Sequence, residues 1–104
     1  MNFNERVYEL CKKIPKGRVS TYKSIAEAMN TEAYRAVGRA LACNPYAPIV
    51  PCHRILSSRG ELHGFKGKKD KMSLKSKKEL LEKEGVKFNG DFVVNFKNVF
   101  YKLR

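Results

Sequence analysis

The sequence predicts a small, mostly α domain with a small β-hairpin, arranged as a winged-helix-like helix-turn-helix of the DNA-binding kind. Three observations carry this. First, Tyr22-Ile25-Ala26-Met29 and Ala36-Val37-Ala40-Leu41 each repeat apolar residues at steps of three and four, with only the capping pair Asn30-Thr31 as the break between helices. Second, Arg54-Ile55-Leu56 and Glu61-Leu62-His63 flank the turn chemistry of Ser57-Ser58-Arg59-Gly60, which reads as a hairpin, or wing. Third, Lys+Arg 22 against Asp+Glu 10 gives a formal net charge of +12, a surface that attracts polyanions, nucleic acid ahead of an anionic membrane.

At 104 residues the chain reads as one domain over 1–104, long enough for one modest core. No run approaches the ~20 apolar residues of a membrane span, and Met1-Asn2-Phe3-Asn4-Glu5-Arg6 lacks the apolar run of a secretory signal, so we expect an intracellular protein, cytoplasmic or nuclear. Three cysteines without repeated spacing argue against a disulfide framework. No metal is expected, because there is no Cys-x-x-Cys pair and adjacent Cys52 and His53 are poorly placed to ligate one ion together.

Phe3, Val7, Leu10, Cys11 and Ile14 mark one face of a first helix that ends before Pro15. Pro15-Lys16-Gly17-Arg18 reads as a turn, and Ser20 or Thr21 caps the second helix. Tyr22 stands in its first turn, where spacing leaves the hydroxyl equally suited to a binding surface or the core. The helix-turn-helix spans about 20–43, its second helix Glu32 to Ala42 turning Ala36, Val37, Ala40 and Leu41 inward and Arg35 and Arg39 outward, with Gly38 allowing close approach. An ordinary helical hairpin with a solvated basic face fits the same pattern. Asn44-Pro45 ends the segment, since the residue before proline resists helical geometry. Lysines 66, 68, 69, 71, 75, 77 and 78 precede or enter a C-terminal helix over about 70–84 stopped by Gly85; they suit phosphate contact or plain solubility. The tail 86–104 carries two apolar patches, Phe92-Val93-Val94-Asn95-Phe96 and Val99-Phe100-Tyr101, and reads as one or two strands or an ordered arm.

The chemistry concentrates in the stretch 49–56, Ile49-Val50-Pro51-Cys52-His53-Arg54-Ile55-Leu56. A thiol is a nucleophile only as thiolate, and an adjacent imidazole, the Arg54 cation and partial shelter from water push it that way. Pro51 cannot donate to a sheet ladder, so strand pairing stops there and Cys52 falls at an irregular, accessible place. A buried core cysteine beside a surface histidine is the plainer reading of the pair. His63-Gly64-Phe65-Lys66-Gly67 reads as a loop whose aromatic ring approaches a ligand, or plugs the core.

From Gly17-Arg18-Val19-Ser20-Thr21-Tyr22 through Tyr34-Arg35-Ala36-Val37-Gly38, Asn44-Pro45, Ile49-Val50-Pro51-Cys52-His53-Arg54 and Gly64-Phe65 to Glu84-Gly85, the chain resembles the C-terminal, active-site domain of the O6-alkylguanine-DNA alkyltransferases (methylated-DNA–protein-cysteine methyltransferases). The resemblance implies irreversible, single-turnover transfer of an alkyl group from guanine O6 in DNA to Cys52, with no cofactor. It implies His53 as the base acting through a water, Glu84 as the carboxylate orienting it, Asn44 as a hinge, and Tyr22 as donor to the departing guanine. Arg35 is implied as the finger that fills the vacated stack, within a DNA-binding set of Tyr34, Ala36, Gly38, Arg39, Arg18, Thr21 and Lys66. The implied substrate pocket is Tyr22, Val50, Pro51, Gly64 and Phe65. The partner would be double-stranded DNA entered through the minor groove by a monomer, with most contacts to phosphate.

The departures are specific. The chain begins at the active-site domain, so the N-terminal domain of larger members, with any metal it carries, is expected to be absent. Phe65 replaces a frequent tyrosine, Tyr34 a smaller residue, the lysine-rich segment is longer, and the tail beyond Gly85 is unfamiliar. The alternative is the alkyltransferase-like proteins, which share this compact domain, bind O6-alkylguanine and signal to excision repair without chemistry. They lack the acceptor cysteine.

Overall fold

The structure is a computed structural model and describes residues 1–64 and 68–104. Phe65 and Lys66 lie outside the described residues. It opens with α1, Phe3–Lys12, whose start is closed reciprocally: Asn2 Oδ1 accepts the Glu5 amide at 2.9 Å and Glu5 Oε1 accepts the Asn2 amide at 3.3 Å. The helix ends two residues before the expected Ile14, which is nonetheless buried beyond its end.

Next come β1, Ser20–Thr21, and α2, Tyr22–Ala28, whose cap is Thr21, its Oγ1 accepting the Ser24 amide at 3.0 Å. α3 runs Tyr34–Ala42, starting two residues later than expected. α1 lies across both, and Tyr8 fastens it by donating its hydroxyl proton to the Ala40 carbonyl at 2.7 Å. The helix-turn-helix is therefore real and is backed by α1. Two of its details need correction. Ala36 is half-buried rather than a core residue, and a Cβ on Gly38 would meet nothing within 4 Å, so the glycine does not serve close helix packing.

The expected hairpin across residues 57–60 is not the sheet that forms. Its turn exists, with the Gly60 amide donating to Ser57 O at 2.9 Å and the Ser57 amide to Glu61 O at 3.1 Å. Yet Arg54 belongs to a 3-10 turn, Cys52–Arg54, and β2, Ile55–Leu56, pairs in parallel with β1, Ser20 opposite Ile55 and Thr21 opposite Leu56. Glu61 instead bridges to Phe92. The reason is burial. Ile55 enters the helical core with Val7, Ile25, Val37 and Leu41, whereas Leu56 enters a second cluster with Val19, Leu81, Val86 and Val93. A strand covered on both faces sits in the interior of the molecule, not on a two-stranded wing open to water.

α4, Lys71–Lys83, supplies Leu81 to the second cluster and stops at Glu84 and Gly85, the latter at φ +96. The antiparallel hairpin lies in the tail: β3, Phe88–Asn89, pairs with β4, Phe92–Val93, across Gly90. Of the two apolar patches, the first supplies β4 and the second an ordered arm, and the chain between them makes a one-turn helix, α5, Phe96–Val99. Beyond it the chain returns as a strap, the Val19 amide donating to Val99 O at 2.9 Å, the Tyr101 amide to Val19 O at 2.7 Å, and the Leu103 amide to Ser24 Oγ at 2.9 Å. No described helix is long and apolar enough to cross a membrane.

The strap also redirects Arg18, which the family resemblance assigns to DNA. Its Nε donates to Val99 O at 3.0 Å, its Nη2 to Phe100 O at 2.8 Å, and the guanidinium lies 5.6 Å from the Tyr101 ring centre. The carbonyls ending α5 lack helical partners, and Arg18 satisfies them. Thr21 is likewise spent on its cap. Arg18→Ala should lower unfolding free energy by about 2 kcal/mol, the scale of charged hydrogen bonds, and expose the Tyr101 amide to hydrogen exchange, while the salt slope of DNA binding stays unchanged. Urea denaturation, exchange mass spectrometry and a salt titration check this; a reduced slope with unchanged stability would return Arg18 to the DNA face.

Candidate active site

Pro51 stops the chain from pairing, and the backbone tightens at once into the Cys52–Arg54 turn, the Arg54 amide donating to Pro51 O at 2.9 Å. Cys52 is irregular in conformation, as expected, but not accessible: it is 7 % exposed, at the wall of a cavity of about 600 Å³. Asn44 closes the preceding loop from both ends, its Nδ2 donating to Val50 O at 2.8 Å and its Oδ1 accepting the Tyr46 amide at 2.9 Å. Val50 and Pro51 are buried and are not among the described residues lining the cavity, because the turn presents Cys52 in their place.

His53 and Arg54 both reach Glu84, thirty or more residues ahead. Arg54 grips the carboxylate with two nitrogens, Nε to Oε1 at 2.9 Å and Nη2 to Oε2 at 2.7 Å, and gives a third proton to Ile14 O at 2.8 Å. His53 Nε2 lies 3.0 Å from Glu84 Oε2. Burial alone would raise the Glu84 pKa, but the hydrogen bonds and charges of Arg54 and His53 outweigh it and hold the carboxyl at about 2. An ionised carboxylate has no proton to offer, so Nε2 must carry it and Nδ1 is left as the basic nitrogen. Burial pulls the His53 pKa down, against the opposing hydrogen bond and charge of Glu84, and this favours the neutral, proton-accepting ring.

Tyr22 faces the same cavity. Burial, then the charges of Cys52 and Cys11, push its pKa to about 12, so the phenol stays a donor. His63 packs edge-on against it, ring centres 5.8 Å apart, and with Gly64 and Lys69 completes one side of the opening. On the other side stand Tyr34, Arg35, Gly38 and Arg39 of α3. Both arginines are exposed and, among the described residues, neither pairs with a carboxylate. A side chain at Gly38 would grow into this opening, which gives the glycine its place. Ala36 is not among the lining residues.

Of the expected residues, Cys52, Tyr22, Arg35, Tyr34, Arg39, Gly38 and Gly64 meet at one cavity, and His53, Glu84 and Asn44 hold its floor in place. Arg18 and Thr21 do not reach it. Sequence reasoning missed His63, and it missed Lys77, which is 1 % exposed and donates from Nζ to Gly64 O at 2.8 Å. Lys77 does neither of the things expected of its lysine run. The signal was present: Leu74, Lys77 and Leu81 share one helical face, three and four residues apart. Cys11, read as core, is fully buried, and burial raises its thiol to about 12. Among the described residues no group of three or more His, Cys, Asp or Glu side chains is arranged to hold a metal ion.

A family model described as the DNA-binding domain of 6-O-methylguanine DNA methyltransferase matches residues 2–86. The chain belongs to this family. A methylated-DNA–protein-cysteine methyltransferase of Sulfolobus acidocaldarius is 47 % identical over 85 residues, covering 82 % of this chain and 50 % of that protein. The chain thus spans about half the length of the curated relatives it matches. The Mycobacterium tuberculosis O6-methylguanine methyltransferase superposes with a TM-score of 0.68 at 38 % identity, covering 81 % of this chain and 48 % of that one. Schizosaccharomyces pombe Atl1, bound to damaged DNA containing O6-carboxymethylguanine, superposes at 0.80 with 30 % identity, covering 96 % of this chain and 94 % of that one. The family model stops at residue 86, whereas the likeness to Atl1 extends over 96 % of this chain.

Glu84→Gln tests the electrostatics. Glu84 titrates below its usual 4.5 and His53 below its usual 6.5 in the folded protein, so both contribute stability that is full at neutral pH and lost on acidification, first below about pH 6.5 and then from about 4.5 towards 2. The variant leaves the half-buried Arg54 without its counter-charge and should lose about 2 kcal/mol at pH 7, with a flatter acid limb. Urea midpoints from pH 7 to pH 3 measure both; parallel curves for the two proteins would contradict the assigned ionisation.

Proposed function

We propose that the protein repairs O6-alkylguanine in DNA by moving the alkyl group irreversibly onto its own Cys52. The observation that carries this is a buried cysteine at the wall of a cavity whose neighbouring histidine is oriented by an ionised carboxylate. His53 Nδ1 draws the thiol proton through a water. The sulfur attacks the alkyl carbon, the S–C bond forms as the C–O6 bond breaks, and the electron pair stays with guanine, towards which Tyr22 donates. A thioether is not cleaved by water, so each chain acts once.

The cavity opens between α3 and the segment around residues 63–69, so the base must leave the stack to reach it. Arg35, in the first turn of α3 at the rim, is assigned to the vacated space, with Tyr34 and Arg39 beside it. α3 would enter the minor groove of a duplex, with the protein acting as a monomer wherever genomic DNA lies, and the net charge of +12 supports contacts mainly to phosphate. A second reading, a lesion binder without chemistry, is favoured by the alkyltransferase-like neighbour, which matches this chain along nearly its whole length. Cys52 argues against it.

Intact mass after incubation with an O6-methylguanine oligonucleotide should show one methyl group per chain on Cys52. Repeated turnover, or methylation of Cys11 or Cys43 with Cys52 free, contradicts the proposal; a protein that binds the lesion tightly and stays unmodified establishes the second reading.

Capture and chemistry are separable. Cys52→Ala should abolish transfer and keep binding to alkylated duplex. Arg35→Ala should react with free O6-benzylguanine at close to the parent rate, since a free base needs no flipping, and slow on duplex by about tenfold or more, because unstacking costs a few kcal/mol. Arg39→Ala should affect both substrates little. Equal behaviour of the two arginine variants would remove Arg35 from its assigned place.

A further inference from the structure

One wall of the cavity carries a side chain that is exposed and yet held in place. His63 meets water at the opening, but the backbone on both sides of it is anchored. Leu62 is buried in the second cluster, and its amide donates to Asp91 O at 2.9 Å, in the turn of the tail hairpin. Gly64 O accepts from the Lys77 ammonium at 2.8 Å. Just before Leu62, Gly60 O accepts the Val93 amide at 2.9 Å and Glu61 bridges to Phe92, so the tail hairpin grips the chain from Gly60 to Leu62. A side chain on a backbone fixed in this way gives up little freedom on making a contact. The contact His63 makes is with Tyr22, ring centres 5.8 Å apart and ring planes 72° apart.

Tyr22 needs such a neighbour. The hydroxyl of Tyr8 is tied to Ala40 O at 2.7 Å, whereas among the described residues the Tyr22 hydroxyl has no hydrogen-bond partner. A phenol oxygen without a tether takes its position from the χ1 rotamer of its side chain. The ring packs on the helical cluster and also lines the cavity, where a swing about χ1 would carry it into the opening. We propose that His63 is a positioning residue for alkyl transfer: packed edge to face on Tyr22 at the cavity mouth, it holds the phenol in one rotamer and so aims its hydroxyl at the departing guanine. The inference rests on the transferase reading of the same site. Aromatic pairs prefer this perpendicular arrangement, and the preference belongs to the rings. An aromatic side chain is therefore required at position 63, and its nitrogens are not. The tail also acquires a part in the site, because the hairpin that grips the His63 segment lies beyond residue 86, where the family match ends.

The experiment uses the whole chain with free O6-benzylguanine and separates the rate constant at saturation from the half-saturating concentration. His63→Ala should slow the saturated step about fivefold, the scale of one aromatic pair, and leave half-saturation unchanged. His63→Phe should restore the rate. Tyr22→Phe removes the hydroxyl that His63 aims, so in that background His63→Ala should cost nothing further. Additive losses, a failure of His63→Phe to rescue, or a loss confined to half-saturation overturns the proposal, since each makes the imidazole a contact of the base or a prop of the fold. A second readout needs no transfer. With tyrosine isotope-labelled and the Tyr22 signal assigned through Tyr22→Phe, the Hα–Hβ couplings should report one χ1 rotamer in the parent, averaged rotamers in His63→Ala and one rotamer again in His63→Phe. A single rotamer in His63→Ala overturns the proposal. A parent chain that moves no alkyl group sinks the transferase reading instead, and the couplings still decide whether His63 fixes the phenol.

Discussion

The guanidinium of Arg54 is the contact on which the site depends. It joins three parts of the chain that share no sequence neighbourhood: the carbonyl of Ile14 after α1, the turn that carries the nucleophile, and the carboxylate that ends α4. Burying an ion pair costs several kcal/mol of desolvation per ion, so such a pair is weak evidence for stability in itself. Its value here is geometric. Two parallel hydrogen bonds fix the plane of the Glu84 carboxylate, and the plane fixes the His53 ring that shares Oε2. A lysine at position 54 would supply the charge without the fork, and the imidazole would lose its rigid reference.

The same pair explains the division of labour among the cations. One positive charge in the floor of the site is spent on orientation, one buried ammonium holds the Gly64 carbonyl, and the arginines of α3 sit in water at the rim. Burial separates these three uses, since a rim cation is screened within about 8 Å at physiological salt whereas a buried one is not. A chain this basic therefore does not act through its net charge alone.

Much of this was legible in the sequence, for identifiable reasons. Helical periodicity located α1, α2, α3 and α4 to within two or three residues because each buries one stripe. Pro51-Cys52-His53-Arg54 announced an irregular turn, and the long-range partner Glu84 came from family resemblance, since spacing alone cannot bring residues thirty apart together. The failures have physical causes too. Ile55-Leu56 was given a hairpin partner because the turn after it is genuine, but pairing followed burial on both faces and went to β1. Of the tail's two apolar patches the first gave β4 at Phe92–Val93, but Asn95 at φ +55 turned the chain into a short helix between them that neither patch announced. Arg18 and Lys77 were counted as surface charge because composition does not say which carbonyls will be left without partners, or which lysine will fall on a helix's inner face.

The tail sharpens the choice between chemistry and mere capture. Leu103 packs in the helical cluster and its amide holds Ser24, so the strap closes the back of α2 while Tyr22, at the front of that helix, faces the cavity. The backbone is similar both to Schizosaccharomyces pombe Atl1, bound to damaged DNA, and to the Mycobacterium tuberculosis methyltransferase, so it does not by itself separate the two readings. What differs is electrostatic. A site that only captured an alkylated base would need the rim arginines and the phenol, and would have no use for a neutral imidazole held by an ionised carboxylate. The proposed transfer uses that imidazole to take the thiol proton of Cys52, a step that capture alone does not require.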